Sequence, residues 1–144
     1  MRTAAPLLLL ALAVAGCGGG GGGAEAASVG GTVPSCVGAS GTKQLSSQFP
    51  ADFPLPTGAV VDREYVEHGA RVAELYIRGG LEAARDYYRE QLPKNGFELG
   101  EGDAEEEEAE TEFNGHGYDG RLKLHTVVGC DGALSLGVVL RQAS

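Results

Sequence analysis

The chain has no tryptophan, only four phenylalanines and five tyrosines among 144 residues, and three cysteines in all. No cysteines stand in C-x-x-C spacing and no histidines in H-x-x-x-H, the local pairs that structural zinc sites usually show. Basic residues are also scarce, with 11 Lys and Arg against 20 Asp and Glu for a net charge of −9. No basic stripe is available to follow a phosphate backbone, which excludes nucleic acid as a partner. The apolar run from Ala4 to Ala15 falls short of the roughly 20 residues a membrane-spanning helix needs. No Ser/His/Asp or Cys/His set can be assembled, and the Asn114-Gly115 and Gly129-Cys130-Asp131-Gly132 glycines precede no helix that would cradle a phosphate. The expectation is a non-enzymatic protein without a cofactor.

The N-terminus is more informative. Met1-Arg2-Thr3 carries one positive side chain, the apolar run follows, and small residues come next, which is the layout of a secretory signal peptide. Val14-Ala15-Gly16-Cys17 resembles the lipobox of bacterial lipoprotein precursors. That resemblance implies cleavage before Cys17 and acylation of its thiol with chains such as palmitate. It implies a protein exported and anchored by lipid in a bacterial cell membrane or outer membrane. Two chains anchor stably where one does not, since each buried methylene contributes about 0.8 kcal/mol. Gly18 to Gly23 is pure glycine, and the stretch to Ser35 reads as a flexible tether with a root-mean-square reach of roughly 20–25 Å. The organisation expected is a signal peptide over 1–16, a lipidated N-terminus and tether over 17–45, and one small domain over 46–144.

With Cys17 acylated, Cys36 and Cys130 remain as an even pair in an oxidising compartment, and a disulfide between them is expected ahead of free thiols or metal ligation with His116 or His125.

Within the domain, Pro50, Pro54 and Pro56 mark an extended lead-in whose Phe49, Phe53 and Leu55 can face a core. Ala59 to Glu67 and Ala70 to Arg78 read as a hairpin turning at His68-Gly69, with Ala73, Leu75 and Ile77 as the buried set. Leu81, Ala84, Tyr88 and Leu92 recur at helical spacing, and Pro93 with Asn95-Gly96 ends the helix. Phe97-Glu98-Leu99 begins a strand leading into an acidic run. From Glu108, the residues Ala109, Thr111 and Phe113 share one face. After a turn over 115–120, Leu122, Leu124, Thr126 and Val128 share a face of the next strand, and Leu134, Leu136, Val138 and Leu140 point inward on the last. The fold class expected is α+β, an antiparallel sheet with one helix on one face, in the order β-β-α-β-β-β. Glu110 and Glu112 are expected across from Arg121 and Lys123 on the outer face.

Eight of the twenty acidic residues fall between Glu101 and Glu112. Clustered carboxylates suit hard divalent cations, which makes Glu101, Asp103, Glu105 and Glu107 the candidates for such a site. The spacing lacks an EF-hand pattern, and consecutive residues of an extended segment alternate between faces, so a solvated hairpin arm is the reading preferred. His68, His116 and His125 are expected at turns or on the exposed sheet face. Pro54-Leu55-Pro56-Thr57-Gly58-Ala59 and the stretch Tyr87-Tyr88 to Gly96-Phe97 are similar to small domains of uncharacterised bacterial lipoproteins. The function expected is a module binding an envelope protein, a glycan or a small ligand. A cation-binding lipoprotein and a hydrolytic enzyme are the alternatives.

Overall fold

The computed structural model describes residues 28–144. The expected signal peptide, the lipobox with Cys17 and the six-glycine tract lie outside the described residues. Two strands, Val60–Glu67 (β1) and Ala70–Arg78 (β2), precede the helix Leu81–Lys94 (α1). Four follow it: Glu98–Ala104 (β3), Glu108–Gly115 (β4), Tyr118–Thr126 (β5) and Ala133–Gln142 (β6). All six form one antiparallel sheet in the order β1-β2-β6-β5-β4-β3. The fold is thus α+β, with one strand more after the helix than the sequence pattern suggests. The acidic run is where the extra strand arises: it folds back at Glu105–Glu107, where Glu105 N–H donates to Glu108 O at 2.7 Å.

Alternation in the strands decides the two faces. Ala73, Leu75 and Ile77 of β2, Leu122 and Leu124 of β5, and Leu134, Leu136, Val138 and Leu140 of β6 are buried against the layer that contains α1. From α1 come Ala84, Tyr88 and Leu92, at the i, i+4 and i+8 spacing of a helical stripe. The helix runs two residues beyond Leu92 and takes Pro93 into its last turn. Asn95 N–H closes it by donating to Gln91 O and Leu92 O, both at 3.1 Å. The proline-spaced lead-in places Phe53 at the centre of an aromatic cluster, with ring centroids 6.3 Å from Tyr88, 5.9 Å from Phe97 and 5.8 Å from Phe113. Phe113 in turn covers Gly120, its partner on β5, where a Cβ would stand 2.3 Å from the ring.

Two of the hairpin turns are two-residue loops with left-handed backbone at both positions: His68 (φ 49°) with Gly69 (φ 77°), and His116 (φ 52°) with Gly117 (φ 80°). Such turns match the twist of the flanking strands. The second is tighter than the 115–120 turn suggested by glycine content, because Tyr118 already pairs with Gly115 and Gln142. At the other end β5 stops at Thr126. Val128, expected on the inner face, is 93% exposed in the following loop.

The Cys36–Cys130 disulfide is formed, with Cα atoms 5.7 Å apart across a sequence separation of 94. It fastens a single 3-10 turn, Ser35–Val37, to the β5–β6 loop. The segment 28–45, expected as tether, is held along the domain at further points. Gly30 N–H donates to Arg78 O at 2.9 Å, Gly31 N–H to Thr57 O at 2.8 Å, and Thr42 exchanges two backbone bonds with Val61 at the β1 edge. Val29 packs against the core beside Gly79. The packed unit therefore begins well before Ser46. No helix among the described residues is long and apolar enough to cross a membrane.

One buried group stands out energetically. The Tyr88 hydroxyl has no hydrogen-bond partner, and burial, then the neighbouring Tyr87, raise the phenol pKa far above its ordinary value. A buried unmade hydrogen bond costs about 1–3 kcal/mol. Tyr88→Phe keeps the ring and is expected to stabilise the domain by about 1 kcal/mol, read as a higher urea midpoint at unchanged m. A fall in midpoint would show that the hydroxyl has a partner, such as an internal water.

Candidate functional site

The face of the sheet away from α1 is laid out by register. One row across it reads Tyr65, Val72, Val139, Arg121, Glu112; the next reads Arg63, Glu74, Gly137, Lys123, Glu110, Asp103; a third reads Val60, Tyr76, Ser135, His125, Glu108. Strand β6 lies in the middle and, between Ala133 and Arg141 at its two ends, carries Ser135, Gly137 and Val139 on this face.

Charged side chains on either side lean away from β6. On one flank Glu74 accepts from Arg63 Nε at 2.7 Å and from the Tyr65 hydroxyl at 2.9 Å. Both bonds draw its carboxylate toward β1. The bond to Glu74 raises the Tyr65 phenol pKa, and the same carboxylate raises that of the Arg63 guanidinium. On the other flank Arg121 reaches Glu112 at 2.8 Å and Glu110 at 3.2 Å, while Lys123 reaches Glu108 at 2.7 Å. The bond to Glu112, followed by the charge of Glu110, holds the Arg121 pKa above its ordinary value, and Glu108 does the same for Lys123. The expected pairing of Glu110 and Glu112 with Arg121 and Lys123 is present, with Glu112 opposite Arg121 and Glu110 opposite Lys123. All these groups are partly or largely exposed, so each pair contributes little to stability, on the order of 0–1 kcal/mol.

With both flanks drawn outward, the middle is left as a furrow of about 420 Å³. Its floor is Ser135, Gly137 and Val139, and its walls include Val72, Glu74, Tyr76, Arg121, Lys123 and His125. No heavy atom outside its chain neighbours lies within 4 Å of where a Gly137 Cβ would be. Arg121 and Val139 also line an adjoining hollow of about 610 Å³, which continues toward Asn114, Asp119 and Arg141. The sequence pattern identified the outer face but not the furrow, because the lean of the salt bridges is invisible in the alternation. A lone glycine in the most apolar strand was the available signal.

Ser135, His125 and Glu108 share one row, and His125 Nδ1 lies 3.2 Å from Glu108 Oε2. The residue types match a hydrolytic triad. However, among the described residues no hydrogen bond joins Ser135 to His125, and the surrounding backbone N–H groups are engaged in the β5 and β6 ladders. Preorganised donors for an oxyanion are what such catalysis most needs.

Among the other expected residues, Glu101 and Asp103 sit on β3, and Glu105 and Glu107 at its turn, all four exposed. Among the described residues no three His, Cys, Asp or Glu side chains gather closely enough to hold a metal ion. His68 and His116 occupy the hairpin turns, and His116 Nε2–H donates to Asn95 O at 2.8 Å while the ring packs on Phe97. Cys36 and Cys130 are joined to each other. Comparison of the chain with protein-family models, curated proteins and solved structures gives no match.

Proposed function

We propose that this protein is a non-enzymatic, lipid-anchored envelope module that binds an extended, uncharged polar ligand, a glycan strand foremost, in the furrow along β6. The observation supporting this reading is the uncovered row Ser135, Gly137 and Val139 between two ladders of satisfied charges. Glu74 and Glu110 balance Arg121 and Lys123 around it, and each is already paired. A charged ligand would have to break those pairs. A sugar chain would not: its C–H faces suit Val72, Val139 and the Tyr76 ring, and its hydroxyls suit Ser135, His125 and the Tyr76 hydroxyl. Export and the anchor rest on the lipobox Val14-Ala15-Gly16-Cys17. The six glycines behind Cys17 have the composition of a tether.

Gly137→Val is the discriminating variant. The space at Gly137 is open, and a β-branched residue suits a central strand, so stability is expected to hold or rise by about 0.5–1 kcal/mol. The probe is a soluble, N-acetylated oligosaccharide of several sugars, followed by amide shifts over residues 135–139. Saturable shifts in the native protein, lost in the folded variant, are the expected result. Absence of shifts, or equal binding by the variant, would sink the glycan reading.

A further inference from the structure

On the opposite side of the sheet, between α1 and β3, lies a notch of about 330 Å³. Its origin is the small size of the residues that β3 turns toward the helix. Gly102 and Ala104 pair with Thr111 and Ala109, whose side chains are buried, so they share the helix-facing side. A bulge also inserts Gly100 and Glu101 opposite Glu112 alone. Into the opening reach Arg85 and Arg89, four residues apart on one face of α1.

We infer that this notch binds a carboxylate group carried by a ligand, held by the guanidinium groups of Arg85 and Arg89 with the Thr111 hydroxyl. Three observations converge. The Arg85 Nε is buried and has no acceptor; the nearest carboxylate oxygen, of Asp86, stands 3.8 Å away. A buried donor without a partner is uncommon in native proteins, and an acceptor brought close to it relieves the cost of leaving it unpaired. Thr111 is 6% exposed, lines the notch, and its hydroxyl makes no side-chain hydrogen bond among the described residues. Arg89 has no ion-pair partner among the described residues, although the chain is rich in acids. Two like charges at i and i+4 repel each other on a helix, and an anion between them reverses the sign of that interaction.

The rim decides the ligand's charge. Asp103 and Glu110 also border the notch, and the Asp103 carboxylate accepts from the Ala104 N–H at 2.8 Å. Glu110 is already paired with Arg121, so two guanidiniums face one free carboxylate, that of Asp103, and the balance of one positive charge suits a single negative charge better than a dianion. A planar carboxylate also matches the fork of donors that an arginine presents. The notch opens on the helix side of the sheet, and Glu110, on the outer row, borders both it and the furrow.

The test uses the full oxidised chain and acetate as the probe, titrated against chloride at constant ionic strength, with the Arg85 Nε–H and Thr111 amide signals followed by NMR. Saturable shifts with acetate and none with chloride are expected. Arg85→Gln and Arg89→Gln, both at partly or fully exposed side chains, should each weaken acetate about tenfold or more. Arg85→Lys should also weaken it, because a point charge lacks the fork. Identical responses to acetate and chloride, or unchanged affinity in both glutamine variants, would refute the site. Tighter binding of inorganic phosphate than of acetate would refute the single-charge assignment.

Discussion

Replacing Cys36 and Cys130 together by alanine is expected to remove about 4–5 kcal/mol of stability, and to lower the thermal midpoint by on the order of 15 °C. The bridge spans 94 positions, so in the unfolded chain it forbids a large fraction of the conformations otherwise available. Few other contacts hold the Cys36 end. The 3-10 turn at Ser35–Val37 buries no residue, whereas Cys130 is buried in the β5–β6 loop. The double variant should also show a steeper dependence on urea, because its unfolded state exposes more surface than the cross-linked one. A loss below about 1 kcal/mol, small against the loop-entropy expectation, would mean that the contacts of Val29, Gly30, Gly31 and Thr42 hold the N-terminal segment without the bridge.

Phe53→Ala should cost a comparable amount, about 3–5 kcal/mol. The ring is buried where α1, the sheet and the lead-in meet, within 6.3 Å of the Tyr88, Phe97 and Phe113 rings. No neighbour can collapse into the space it leaves: Tyr88 is locked in the helix, and Phe113 already lies over Gly120. Chemical denaturation of the oxidised variant measures the effect. A cost under 1 kcal/mol would show that the lead-in is peripheral to the folded unit and that the core closes without it.

The two effects arise from the same architectural fact. Residues 28–59 contain no β-strand and no α-helix, yet they hold one cysteine of the bridge and the central ring of the aromatic cluster. In sequence this region reads as tether and proline-rich lead-in because it lacks periodicity. Its contribution comes through single anchors separated by extended backbone, and no local pattern encodes those.

The elements with strict alternation or helical spacing were legible. Ala73, Leu75 and Ile77, the stripe Ala84, Tyr88 and Leu92, and the inward leucines of β6 are buried where their spacing places them, because side-chain direction follows directly from backbone period. Where hydrophobicity runs past the end of pairing, the same logic misleads. Val128 continues the alternation of β5 yet lies in solvent, since the strand ends when β6 turns away at Ala133. The acidic run hid a turn because a hairpin closed by glutamates carries no glycine or proline mark at its tip.

By itself the sequence determined the pairing-competent cysteines, the α+β class and the charged outer face, since each depends on residue type and local period alone. Only the tertiary structure decided that β6 sits in the middle of the sheet, between the ladders of β2 and β5. That placement puts Gly137 on the floor of a furrow, and the packing of α1 toward the β3 edge brings Arg85 and Arg89 over its small residues. Strand order and the lean of side chains depend on contacts between residues far apart in the chain, and a linear pattern does not carry them.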